Sequence, residues 1–172
     1  MPLLLSRPAT VVVDVAAWAA IHAGTGYLVH RLPARLFERD LAVHRLRAFE
    51  GDGSVYVRVL RIRRWKRLLP EAGGLFAGGF DKRHLRGAGG DHLRAHLRET
   101  RRAELGHWLA TAPAPLFVLW NPPAVGAVMI VYAVLANGPC IAAQRYNRLR
   151  LQRVLDRREA RAGPRRPASG SS

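Results

Sequence analysis

The chain has 172 residues, with 28 Lys and Arg against 12 Asp and Glu, a formal net charge of +16. The charge is segregated: almost none falls between Pro8 and Leu28 or between Trp108 and Ala143, and the basic residues crowd between Arg31 and Arg102 and again after Gln144. A single water-soluble core rarely combines two such sequences. No recognised motif accompanies the basic excess, so a nucleic-acid partner is not expected; Lys and Arg flanking membrane spans on the cytoplasmic side account for it.

The first apolar stretch, ATVVVDVAAWAAIHAGTGYLV, runs from Ala9 to Val29. A helix needs about 20 such residues to cross the hydrocarbon layer. Asp14 and His22 interrupt it, and an ionisable residue inside a span should face other helices or a polar cavity. A cleaved signal peptide is the rival reading, but the basic leader region is missing. Residues 1–30 are therefore expected to form an N-terminal span.

Residues 31–107 form a basic, interfacial region. RLPARLFERDLAVHRLRAFE reads as one or two amphipathic helices opened by Pro33, and EGDGS as a turn. VYVRVLRIRRWKRLLP alternates like a strand in its first half and resembles an interfacial helix in its second; the helix on the membrane surface is preferred. EAGGLFAGGF and RGAGGD are glycine-rich loops, and DHLRAHLRETRRAELGHW is one helix feeding the next apolar tract.

That tract, residues 108–143, is WLATAPAPLFVLWNPPAVGAVMIVYAVLANGPCIAA, too long for one crossing. Asn121, Pro122 and Pro123 supply a turn, because proline lacks an N–H and pushes the residue before it out of the α region. Pro113, Pro115 and Pro139 are expected to kink rather than end the two arms. Residues 144–161 read as a basic cytoplasmic helix and 162–172 as a disordered tail. The fold class is thus an all-α integral membrane protein with one N-terminal span and a C-terminal helical hairpin. The N-terminus is expected outside and the C-terminus in the cytoplasm, since both arginine-rich regions then share one side.

Cys140 is the only cysteine, so no intrachain disulfide forms, and its apolar setting favours an inert thiol. Glu104 and His107 are three apart on a helix, so a carboxylate could orient a histidine that removes a proton from a hydroxyl. A solvated Glu104 and a snorkelling His107 are the alternative. His92, His96 and Glu99 fall at i, i+4 and i+7, a spacing open to a metal, but such pairs recur by chance in a polar helix and no metal is assigned. Arg145, Asn147 and Arg148 sit just past the last span, as positive-inside anchors or as ligands for an anion or oxyanion.

WKRLLPEAGGLFAGGFDKRHL, ETRRAELGHW and YAVLANGPCIAAQRYNRLRL, taken together, resemble the glycosyl-4,4'-diaponeurosporenoate acyltransferases, small membrane enzymes of bacterial carotenoid synthesis. The resemblance starts near RLPARLF and runs through the tail helix. It implies a transferase that esterifies the glucose C6 hydroxyl of a glycosylated carotenoid with a fatty acyl group from acyl-CoA or acyl carrier protein; the alternatives are acylation of another membrane glycolipid or hydroxylated carotenoid, and a non-catalytic membrane adapter whose basic faces bind anionic lipid or a partner enzyme. No cofactor is implied. Within the matched blocks, His107 is the expected base with Glu104 orienting it, and His84 with Asp81 is the alternative base. Arg83, Glu99, Arg102, Arg145, Asn147 and Arg148 are the expected substrate-binding residues. The blocks hold no serine, and Cys140 lies in an apolar setting, so direct transfer is preferred over an acyl-enzyme.

Overall fold

A computed structural model describes residues 6–66, 69 and 90–162. Among them every regular element is helical. Helix α1 covers Arg7–Arg31, with Pro8 in its first turn, where the missing N–H costs nothing. It stops at Arg31 because Leu32 precedes Pro33 and takes extended backbone angles. Helices α2 (Ser54–Arg58) and α3 (Ile62–Trp65) are short. Helices α4 (Gly90–Thr111) and α5 (Pro123–Ala162) are long and antiparallel.

The fold-back falls where the sequence places it. Asn121 N donates to the Phe117 carbonyl at 3.1 Å, α5 opens on Pro123, and Gly126 N reaches the Pro122 carbonyl at 2.9 Å. The two arms are unequal, however. The arm before the turn is the end of α4 followed by a 3-10 stretch, Ala114–Leu119, because Pro113 and Pro115 deny α-helical hydrogen bonds. The arm after it continues through Pro139 without a break, so the second span and the basic tail are one 40-residue helix. Among the described residues, two helices, α1 and α5, are long and apolar enough to cross a membrane. Their valines face outward, with Val12 67%, Val15 65% and Val128 61% exposed, as membrane association requires.

Two expectations for the basic region need correction. Residues 33–50 form three 3-10 turns, Ala34–Phe37, Ala42–His44 and Ala48–Glu50, in place of amphipathic helices. The cause is competition for their carbonyls. Arg101 Nη1 takes those of Phe37 and Glu38 at 3.0 and 3.2 Å, Arg145 Nη2 those of Val43 and Arg45 at 2.9 and 3.2 Å, and Arg148 Nη2 that of His44 at 2.6 Å. The run after Ser54 is likewise no single interfacial helix, because Arg61 at φ +46° separates α2 from α3.

Among the described residues three small cores hold the helices. Trp18, Phe117, Ala114 and Ala133 lock α1 to both arms, and the Trp18 and Phe117 rings stack at 4.7 Å. Tyr56, Ile62, Ala143 and Tyr146 seat α2 and α3 on α5, and Leu93, Leu97 and Leu155 close the far end of α4 against α5. A Cβ on Gly126 would come within 2.5 Å of Val118, so the tight return of α5 past the 3-10 arm depends on that glycine.

Candidate active site

Where α4 meets α5, ETRRAELGHW faces QRYNR across a buried ionic cluster. Glu104 has no exposed surface, and Arg148, Arg145 and Glu50 are 3%, 7% and 1% exposed. One Glu104 oxygen accepts from Arg145 Nε at 2.7 Å and the other from Arg148 Nη1. Arg145 Nη1 also reaches both oxygens of Glu50 at 2.6 Å, and the Tyr56 hydroxyl donates to Glu50. Two carboxylates thus balance two guanidiniums, which is what permits four charges to leave water. Arg101 beside it pairs with Asp40 at 2.6 Å.

His44 is fully buried in the same cluster. Its Nδ1 accepts from the Leu41 N–H at 3.2 Å and its Nε2 faces the Arg101 carbonyl at 3.1 Å, so Nε2 carries the proton of a neutral ring. Burial holds its pKa below the ordinary histidine value. For Glu50, burial pushes the carboxyl up, but the Arg47 N–H, the Tyr56 hydroxyl and Arg145 outweigh it and the group titrates below its usual range. Burial, together with the Glu50 carboxylate it bonds, raises the Tyr56 phenol.

One turn further along α4, His107 is half-buried and its Nδ1 lies 3.0 Å from Asn137 Oδ1 of α5. The Asn137 amide is fixed, because its Nδ2 donates to the Ala133 carbonyl at 3.0 Å. Its oxygen must therefore face the ring, so Nδ1 carries the proton and Nε2 keeps its lone pair. A ring so held by a neutral amide has one nitrogen free to accept a proton.

The other expected residues separate into distinct groups. Glu104 is committed to Arg145, Arg148 and, at 3.4 Å, to Trp108 Nε1, and the orienter of His107 is Asn137 in its place. Arg145 directs Nε, Nη1 and Nη2 into the cluster, and Arg148 directs Nη1 and Nη2 there, with its Nε 3.9 Å from Asp40. Arg102 lies over the Phe37 ring and reaches the carbonyls of His30 and Leu32 at 3.4 and 3.5 Å, closing the end of α1, with Glu99 3.8 Å away. Asn147 Oδ1 accepts from Lys66 Nζ at 3.2 Å. Asp81, Arg83 and His84 lie outside the described residues. Among the described residues no group of three or more His, Cys, Asp or Glu is placed to hold a metal, and Glu99 sides with Arg102 rather than completing a set with His92 and His96.

Sequence reasoning missed Asn137, Glu50, His44 and Tyr56. Asn137 did leave a signal, an amide in the middle of an apolar tract. Glu50 left none, being one acid in a loop.

Residues 33–157 match the family described as glycosyl-4,4'-diaponeurosporenoate acyltransferase, a span that holds the ionic cluster and the His107–Asn137 pair. The chain belongs to that family. Curated relatives of the same description from Staphylococcus aureus strains USA300 and Newman are 33% and 32% identical over 138 residues, covering 80% of this chain and 83% of each relative. No solved structure matches. Membership makes the protein an acyltransferase of carotenoid biosynthesis, and the family's matched region ends on α5, five residues short of where the helix itself stops.

Proposed function

We propose that the protein is a multi-pass enzyme of the cell membrane that transfers a fatty acyl group to the glucose C6 hydroxyl of a glycosylated carotenoid. The donor is a thioester, acyl-CoA or acyl carrier protein. His107 Nε2 takes the proton of the sugar hydroxyl, the alkoxide oxygen attacks the acyl carbonyl, and the tetrahedral intermediate expels the thiolate. The imidazolium then returns its proton to the thiolate, so the ester and a free thiol leave a neutral ring behind. Asn137 holds the ring through both transfers. The observation that carries this reading is the fixed Asn137 amide, which leaves Nε2 as the accepting nitrogen.

Position supports it. The carotenoid is dissolved in the bilayer by its tail with the sugar hydroxyl at the surface, where a donor thioester arrives from the aqueous side, and His107 lies between the outward-facing valines and the arginine-rich ends of α4 and α5. The N-terminus is outside: α1 and α5 cross, and the short proline arm runs beside them to the turn. There Asp14 accepts from Trp120 Nε1 and Asn121 Nδ2, both at 2.8 Å. The basic residues then gather on the cytoplasmic side.

Expression with and without this gene in a host that makes the glycosylated carotenoid, followed by mass spectrometry of the lipid extract, tests the reaction. Replacing His107 and, separately, His84 by alanine tests the base. Full activity in His107→Ala with loss in His84→Ala would transfer the role to His84.

A further inference from the structure

The arginines of α5 are sorted by their partners. Those that face α4 are neutralised by Glu104 and Glu50, and Arg94 of α4 reaches Glu159 at 2.8 Å. On the opposite face, towards α2 and α3, the pattern reverses. Arg63, Arg150 and Arg153 line a cavity of about 150 Å³ with Ser54, Tyr146 and Asp52. Among the described residues none of these three arginines forms an ion pair.

Their guanidiniums converge nonetheless. Arg63 Nε donates to the buried Tyr146 hydroxyl at 3.3 Å, Arg150 lies 5.8 Å from the centre of the Tyr146 ring, and Arg153 Nη2 donates to the Asp52 carbonyl. Lys66 Nζ adds a further charge 5.1 Å from the same ring. Among the described residues the single acid at the rim, Asp52, has Oδ1 turned to the Ser54 N–H at 2.9 Å. The loop that closes the cavity is pressed onto α5 at Gly53, whose φ is +77° and whose Cβ, if present, would stand 3.2 Å from Leu149. Like charges held together around an open volume repel one another, and an anion entering that volume relieves the repulsion.

We infer that this cavity is a binding site for a phosphate group, with Arg63, Arg150 and Arg153 as its ligands. Guanidinium forks match the oxygens of a phosphate, and Ser54 and Tyr146 line the same space. Two phosphate-bearing molecules meet this protein at its basic side: the carrier of a thioester donor and an anionic lipid headgroup. The site stands independently of His107, since binding is read without turnover.

The test uses the full chain in an uncharged detergent, titrated with coenzyme A and, separately, with phosphatidylglycerol, with phosphatidylcholine as control. The triple variant Arg63→Gln, Arg150→Gln, Arg153→Gln is expected to weaken the bound ligand by about 100-fold. A matched variant away from the cavity, Arg45→Gln, Arg157→Gln, Arg161→Gln, is expected to stay within about threefold, as diffuse charge contributes little at moderate salt. Selective loss of coenzyme A assigns the site to the donor, and selective loss of phosphatidylglycerol to the headgroup. If the glutamine variant does not fold, the corresponding lysine variant keeps the charge without the fork and should lose about tenfold. Wild-type affinity in the cavity variant that folds, equal weakening in the matched variant, or no binding of either ligand by the wild type overturns the inference.

Discussion

His107 Nδ1 and Asn137 Oδ1 lie 3.0 Å apart across the α4–α5 contact, 30 residues apart in the chain. An amide orients the ring without offering it a counter-charge, which distinguishes this pair from a histidine held by a carboxylate. Replacing His107 by alanine should lower the acylation rate by about 10²–10⁴-fold. Asn137→Ala should lower kcat by a smaller factor with KM little changed. Asn137→Asp should keep activity but move the acid limb of the rate profile to higher pH, because a carboxylate stabilises the imidazolium. An unmoved limb in Asn137→Asp counts against the pairing.

Removing one member of the ionic cluster should cost more than its hydrogen bonds. In Glu104→Gln, Arg145 and Arg148 lose the carboxylate between them, and breaking a buried pair from one side costs about 3–5 kcal/mol. Thermal unfolding in detergent measures it. A melting temperature equal to that of the wild type would show that water enters the cluster.

His44 makes stability fall with acid. Its folded pKa is depressed, so the unfolded chain binds the extra proton first; the contribution is complete above pH about 6.5 and is lost as the pH falls from there through the folded value. Protonating Nδ1 would turn it from acceptor to donor against the Leu41 N–H, with Arg148 adding repulsion and Glu104 and Asp40 opposing it. A His44→Gln variant, compared with wild type by unfolding at pH 7.5 and 5.5, should show a smaller difference between the two.

Asp14 ties α1 to the turn through Trp120 and Asn121. Asp14→Leu leaves the buried Asn121 amide and the part-buried Trp120 N–H without an acceptor and should destabilise by about 1–3 kcal/mol, whereas Asp14→Asn retains an acceptor oxygen and should be milder. Thermal unfolding of the two variants in detergent measures the difference.

Gly126→Leu should separate the 3-10 arm from α5. Even the first carbon of the new side chain overlaps Val118, and a rigid branched neighbour has little room to yield. Combining it with Val118→Ala should recover part of the lost stability.

The sequence discloses most clearly what depends on local chemistry. The NPP turn is legible because two prolines forbid the hydrogen bonds of a continuing helix, and α1 and α5 are legible because long apolar runs have few other fates. Residues 33–50 are not legible as turns, since what prevents a helix there is the demand of three distant arginines for their carbonyls. Glu104 is misread for a related reason. Its spacing to His107 is visible along α4, but the guanidiniums that claim it lie 41 and 44 residues away. His107 stands out by spacing and motif, but its partner Asn137 lies 30 residues further on in an apolar run, where no local spacing ties it to the ring.

The carbonyls of residues 43–45 are met by donors from Arg145 and Arg148, roughly a hundred positions later in translation. Until the ribosome has released the last third of the polypeptide, the stretch after α1 has only α4, through Arg101, to settle against. Biogenesis of this small protein therefore finishes with α5, and a chain stopped before Arg145 would keep its first helix while leaving that stretch as prey for quality-control proteases.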